Sequence, residues 1–228
     1  MNPQDLGAAR STDLVTLVAF AVLTYFLGTI IHEALGHGLT CTLVHGKVLT
    51  ISSVHCDCDY QGLTRARERA IEAGGTVANL VAGTAFLAAL LSSREASPGW
   101  RYFFWLSAMV NLFQAGGYLM VSPFGGFGDW TAFLDGMAAQ TAWKIALTLL
   151  GLAVTGAAMH FGLREIEAFC GGVSPVRGRQ AWLLTALPYA VGGITSCLIA
   201  LSNPVNRALV VTSAGAATLG GTVCLLWI

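Results

Sequence analysis

Charge is scarce in this chain. Of 228 residues, 11% are charged and 55% hydrophobic, which leaves too few ionic side chains to cover a water-soluble domain. The twelve acidic and twelve basic residues cancel and no basic tract is present, excluding an electrostatic surface for nucleic acid. No internal repeat is apparent, so the two related halves expected of many transporters are missing. The six cysteines lack the C-x2-C spacing of a structural zinc site, and no disulfide framework is evident among them. Cys41, Cys197 and Cys224 lie in or beside apolar runs and read as small core residues. Cys56-Asp57-Cys58, preceded by His55, reads as part of an ordinary loop.

Uncharged runs are abundant. Leu14–Ile31, Ala73–Ser93, Tyr102–Gly128, Ile145–Leu163, Gln180–Asn206 and Ala208–Ile228 each reach the roughly 18 residues needed to cross a bilayer as a helix. The expectation is an all-α integral membrane protein with about six transmembrane helices, multi-pass in the lipid bilayer. The first run has no small-residue cleavage site and is expected to be retained rather than removed as a signal. Between the first two runs, Lys47–Val54 is rich in β-branched residues and follows a His-Gly turn, predicting a strand or half of a short β-hairpin. Residues 1–13 form a polar tail, 14–140 a core of three helices, and 141–228 three further helices. The segment Arg164–Gln180 reads as an interhelical loop, and the last two runs, without a charged or His residue, read as scaffold.

The first run ends in Ile31-His32-Glu33-Ala34-Leu35-Gly36-His37-Gly38. Three proton-active groups at the end of a membrane-grade helix are costly unless a partner, a cavity or a metal compensates them. A metal hydrolase needs neutral imidazole ligands, a third protein ligand, an open position for water and a nearby carboxylate. His32 and His37 are five residues apart, which on a regular helix separates them by about 140° at about 100° per residue. One extra residue absorbed as a π-bulge brings both rings to one face, and Gly36 makes that distortion easier. The Gly/Pro-rich link Ser122–Trp130 is not expected to be regular helix and should dip back toward the site. It carries Asp129, the first charge after the third run and on the same side of the membrane as the histidines. Asp129 is thus the leading third ligand, with Glu72 and Glu68 as competitors, while the buried amides Asn79 and Asn111 read as orienting or substrate-binding groups.

The stretch His32–Ser53, HEALGHGLTCTLVHGKVLTISS, resembles the metal-binding helix and following strand of the site-2 protease class of intramembrane zinc metallopeptidases. Ala73–Leu80 is similar to that class's AGPxAN element, with one residue more and no proline. Asn111 followed by Gly128-Asp129-Trp130 is similar in order to its third-ligand region, whereas Leu134-Asp135-Gly136 spells the LDG triplet itself and makes Asp135 a rival. The resemblance covers about residues 14–136. It implies Zn2+ bound by His32, His37 and Asp129, Glu33 as general base, and a transmembrane protein or peptide substrate held as an added strand. The expectation is therefore a peptidase. A family member without catalysis that binds membrane partners, or a metal transporter, would use the same residue types.

Overall fold

A computed structural model of the chain describes residues 13–170, 174–203 and 207–228. Of the polar tail only Asp13 is among them. It caps the first helix, its Oδ1 accepting a hydrogen bond from Thr16 N at 2.9 Å, the usual means of satisfying a free amide at a helix start.

Helix α1 (Leu14–Ile30) runs without a break through a π-helical segment, Ile31–Gly38, into α2 (Leu39–Leu43). A two-stranded antiparallel hairpin follows, β1 (Lys47–Ile51) and β2 (Cys56–Asp59), with Val48 opposite Cys58, Ile51 opposite Cys56 and a bulge between Val48 and Thr50. The remaining helices are α3 (Arg65–Ser92), α4 (Pro98–Gly125), α5 (Asp129–Leu134), α6 (Gln140–Phe169), α7 (Ser174–Leu201) and α8 (Arg207–Val210), the last continuing as a π-helical segment, Val211–Gly220.

Among the described residues, five helices are long and apolar enough to cross a membrane: Leu14–Leu43, Arg65–Ser92, Pro98–Gly125, Gln140–Glu167 and Gly178–Leu201. This is one fewer than the apolar runs suggest. The sixth run folds as α8, the π segment and a short 3-10 turn, Val223–Trp227. Ala214–Trp227 is an apolar helix shorter than those five.

Helix α4 is central. Its most apolar window is 78% buried, against 28–33% for the other four. It packs on α1, α3 and α6, and Trp105, Leu106, Met109 and Phe113 form the main core with Tyr25 of α1. The flanking helices turn Leu14, Val15, Val81, Leu149 and Leu198 outward, as expected where the solvent is lipid.

Two sequence expectations are corrected. The segment expected as a loop, Arg164–Gln180, is largely helical: α6 extends to Phe169 and α7 starts at Ser174. Cys41, expected as a small core residue, and Cys58, expected in a loop, form a disulfide with Cα atoms 6.3 Å apart. It staples β2 to α2 across the turn at His45 and Gly46, where a Cβ on Gly46 would sit 2.9 Å from both sulfurs. At its tip the hairpin is tied again, Asn203 Nδ2 donating to Ser53 Oγ at 2.7 Å.

Candidate metal centre

The π-helical segment decides the geometry of the histidines. Widening the turn to about five residues places His32 and His37 on one face, with Nε2 atoms 3.2 Å apart. Gly36 serves a second purpose. A Cβ there would overlap the Cα of Gly75, and one on Gly74 would lie 2.6 Å from Gly36 O, so the backbones of the π segment and α3 touch. The rings lie against Gly75, where a Cβ would come within 2.5 Å of both Nε2 atoms.

Asp129 arrives from the other side of α4. That helix continues through Pro123 to Gly125, four residues into the link expected to be irregular, and ends at Gly126 with φ 71°. Gly128, with φ 77°, then starts α5. Hydroxyls fix this corner: Ser122 Oγ donates to Phe127 O at 2.8 Å and Thr131 Oγ1 to Ser122 O at 2.7 Å. The Asp129 amide donates to Tyr118 Oη at 3.0 Å. In consequence Asp129 Oδ2 lies 3.2 Å from His32 Nε2 and 3.1 Å from His37 Nε2.

His32, His37 and Asp129 thus form a set able to hold a metal ion. Two imidazole nitrogens and a carboxylate oxygen converge at their centre. His37 Nδ1 lies 2.7 Å from Ile71 O, and a carbonyl can only accept, so Nδ1 carries the hydrogen. In the neutral ring Nε2 is then a bare lone pair facing a carboxylate oxygen. Either a proton on Nε2, which makes a hydrogen bond and ion pair with Asp129, or a metal ion removes that repulsion, and fixing the tautomer through the distal nitrogen is the usual support for a ligating histidine. Burial by itself would raise the Asp129 carboxyl, but the hydrogen bonds with His32 and His37 outweigh it and hold it well below the usual carboxylate range, so the third donor is anionic.

The set lines a cavity of about 240 Å³. Glu33 lines it too, within electrostatic reach of His32, His37, Asp129 and His55. The hairpin contributes Ser53, Val54, His55 and Cys56. Cys56 is a thiol pushed up to about 11 by burial and by the charges of Glu33 and Asp57, and it lies outside the metal-capable set. The last two apolar runs are more than scaffold, since Ser196, Ala214, Ala217 and Thr218 close the far wall.

The competing ligands are outside the metal-capable set. Asp135 is at the surface with its side chain 68% exposed, 3.5 Å from Arg65. Glu68 pairs with Arg65 at 2.9 Å. Glu72 lines the cavity but accepts a 2.7 Å hydrogen bond from Tyr60. Burial and that donation raise the Tyr60 phenol, keeping it neutral.

The two amides part ways. Asn111 is in the core, its Nδ2 donating to Ser107 O one turn back at 2.8 Å, and it is not among the cavity-lining residues. Asn79 donates to Gln114 Oε1 at 3.0 Å, and it is Gln114 that reaches the cavity. Tyr118, Gln114, Tyr60 and Gly75 escaped the sequence reading. A Gln and a Tyr in an apolar run, and a Gly-Gly pair at the start of another, were the available signals. In comparisons with protein-family models, curated proteins and solved structures, nothing matches this chain.

Proposed function

We propose that this chain is an intramembrane zinc endopeptidase of the site-2 protease kind, a multi-pass protein that hydrolyses peptide bonds of membrane-embedded substrates. The observation that carries the reading is the triangle of His32 Nε2, His37 Nε2 and Asp129 Oδ2, with edges of 3.1–3.2 Å. A tetrahedral zinc ion with bonds of about 2.0–2.1 Å spaces its ligand atoms roughly 3.3 Å apart, so the donor set fits this ion with little adjustment. Two imidazoles and one carboxylate suit it by type and leave a coordination position unfilled by protein. When bound, zinc would polarise a peptide carbonyl and acidify a water molecule.

The chain's own residues perform the rest. Glu33 adjoins His32 in sequence and lines the same cavity, placing a carboxylate where it can accept the proton of the attacking water. It then returns that proton to the leaving amine, so one water is added across the C–N bond. His37 keeps its ligand tautomer through Ile71 O. Tyr118 holds the amide of Asp129 and so the direction of the third ligand. A helical substrate protects its amide bonds, and β1 pairs only with β2 among the described residues, leaving an edge on which an unwound segment can add as a strand.

The test uses the full chain, purified and co-reconstituted in phosphatidylcholine vesicles with a pooled set of quenched fluorescent transmembrane peptides. About one zinc per chain is expected, with cleavage in the wild type and none in Glu33→Gln. Protein that carries no zinc, or cleavage that survives Glu33→Gln, overturns the reading.

A further inference from the structure

We infer that Gln114 binds the substrate, its amide Nε2 donating a hydrogen bond to a backbone carbonyl of the peptide in the metal-centre cavity, and that Asn79 sets its orientation. The inference rests on the peptidase reading and extends it to a residue outside the metal set.

Gln114 lies on α4, only 6% exposed, and lines the same cavity as His32, Glu33, His37 and Asp129. Its Oε1 is committed, accepting from Asn79 Nδ2 at 3.0 Å. A primary amide is planar, with oxygen at one end and nitrogen at the other. Fixing the oxygen toward Asn79 on α3 therefore leaves the nitrogen, a pure donor, for the cavity. Space is kept for this arrangement on the α1 side, because a Cβ on Gly28 would lie 3.0 Å from Gln114 Oε1.

Stability does not account for the pair. Asn79 is buried at 1% exposure, yet its Oδ1 has no partner among the described residues, and a buried carbonyl left unsatisfied costs free energy. Two apolar side chains of similar size would fill the space without that cost. What the pair supplies instead is a donor of fixed direction in a cavity whose three carboxylates, Glu33, Glu72 and Asp129, can only accept. A peptide backbone carbonyl, an acceptor, is the complement.

The experiment measures kcat, KM and zinc content in the reconstituted vesicle assay with quenched transmembrane peptides. Gln114→Met removes the donor at nearly constant length. Asn79→Asp leaves Gln114 in place but replaces its donor partner with an acceptor, so the Gln114 amide must turn its nitrogen to Asp and its oxygen to the cavity. Both variants should raise KM about tenfold, the effect of one lost hydrogen bond, with about one zinc per chain retained. A purely structural amide pair predicts the opposite for Asn79→Asp, because a hydrogen bond between the two side chains survives. Unchanged KM in either variant, or a loss confined to kcat, overturns the inference while the peptidase reading stands. Absence of zinc from the wild type, or cleavage by Glu33→Gln, overturns both.

Discussion

Gly75→Ala adds one methyl group where the metal ligands lean on α3. Built on the existing backbone, that carbon would lie 2.5 Å from both His32 Nε2 and His37 Nε2, against the roughly 3.5 Å of an ordinary non-bonded contact. About 1 Å must be found on both rings at once. Helix α3 supplies it only by backing away and opening its backbone contact with Gly36; otherwise the rings move, and metal–ligand distances tolerate only about 0.2 Å. The expected loss of zinc affinity is about 100-fold or more, at or above the upper end of what changes behind the ligands cause. Folding should survive, because the overpacking cost of about 1–3 kcal/mol is partly offset by about 1 kcal/mol of helix propensity gained in replacing glycine with alanine. The assay is zinc content by mass spectrometry after dialysis against graded chelator, with thermal unfolding of the same samples. Gly156→Ala, where an added Cβ meets nothing within 4 Å, is the control and should hold zinc like wild type. If Gly75→Ala also binds zinc with wild-type affinity, the ion does not sit among these rings and the proposed centre is misplaced.

Three further outcomes are expected. His32→Ala and His37→Ala should each lose bound zinc while Glu33→Gln keeps it, and full metal retention in the double His variant would remove the imidazoles from the ligand set. Asp129→Ala should weaken zinc and abolish cleavage, whereas Asp135→Ala, at a surface carboxylate 3.5 Å from Arg65, should change neither; the reverse pattern would make the LDG triplet the ligand element. Maleimide titration of the denatured, unreduced chain should find four thiols, Cys56, Cys170, Cys197 and Cys224, and all six cysteines only after reduction. Reducing a bridge of sequence separation 17 should cost about 3 kcal/mol of stability, read as a lower chemical-denaturation midpoint; six thiols without reductant would show that the hairpin is not stapled.

The sequence by itself determined whatever depends on near neighbours. Long apolar runs with few charges specify helices, whereas the change from α to π to 3-10 turns after Arg207 is not announced by composition. The five-residue spacing of His32 and His37 required a widened turn, because no regular helix can aim both rings at one point, and the π segment Ile31–Gly38 is that turn. The tertiary structure alone decided the choices among distant candidates. Position in the Gly/Pro-rich link ranked Asp129 ahead of Asp135 and Glu72 without placing any of them at the histidines. Only the corner at Gly126–Gly128, held by Tyr118 and Ser122, carries Asp129 across 97 and 92 residues to the two histidines, while Asp135 is left at the surface. The Cys41–Cys58 bridge, the donor direction of Gln114 and the Gly36–Gly75 contact have the same origin. Each depends on how whole helices cross, which is set by packing summed over many side chains and is not written at any one position.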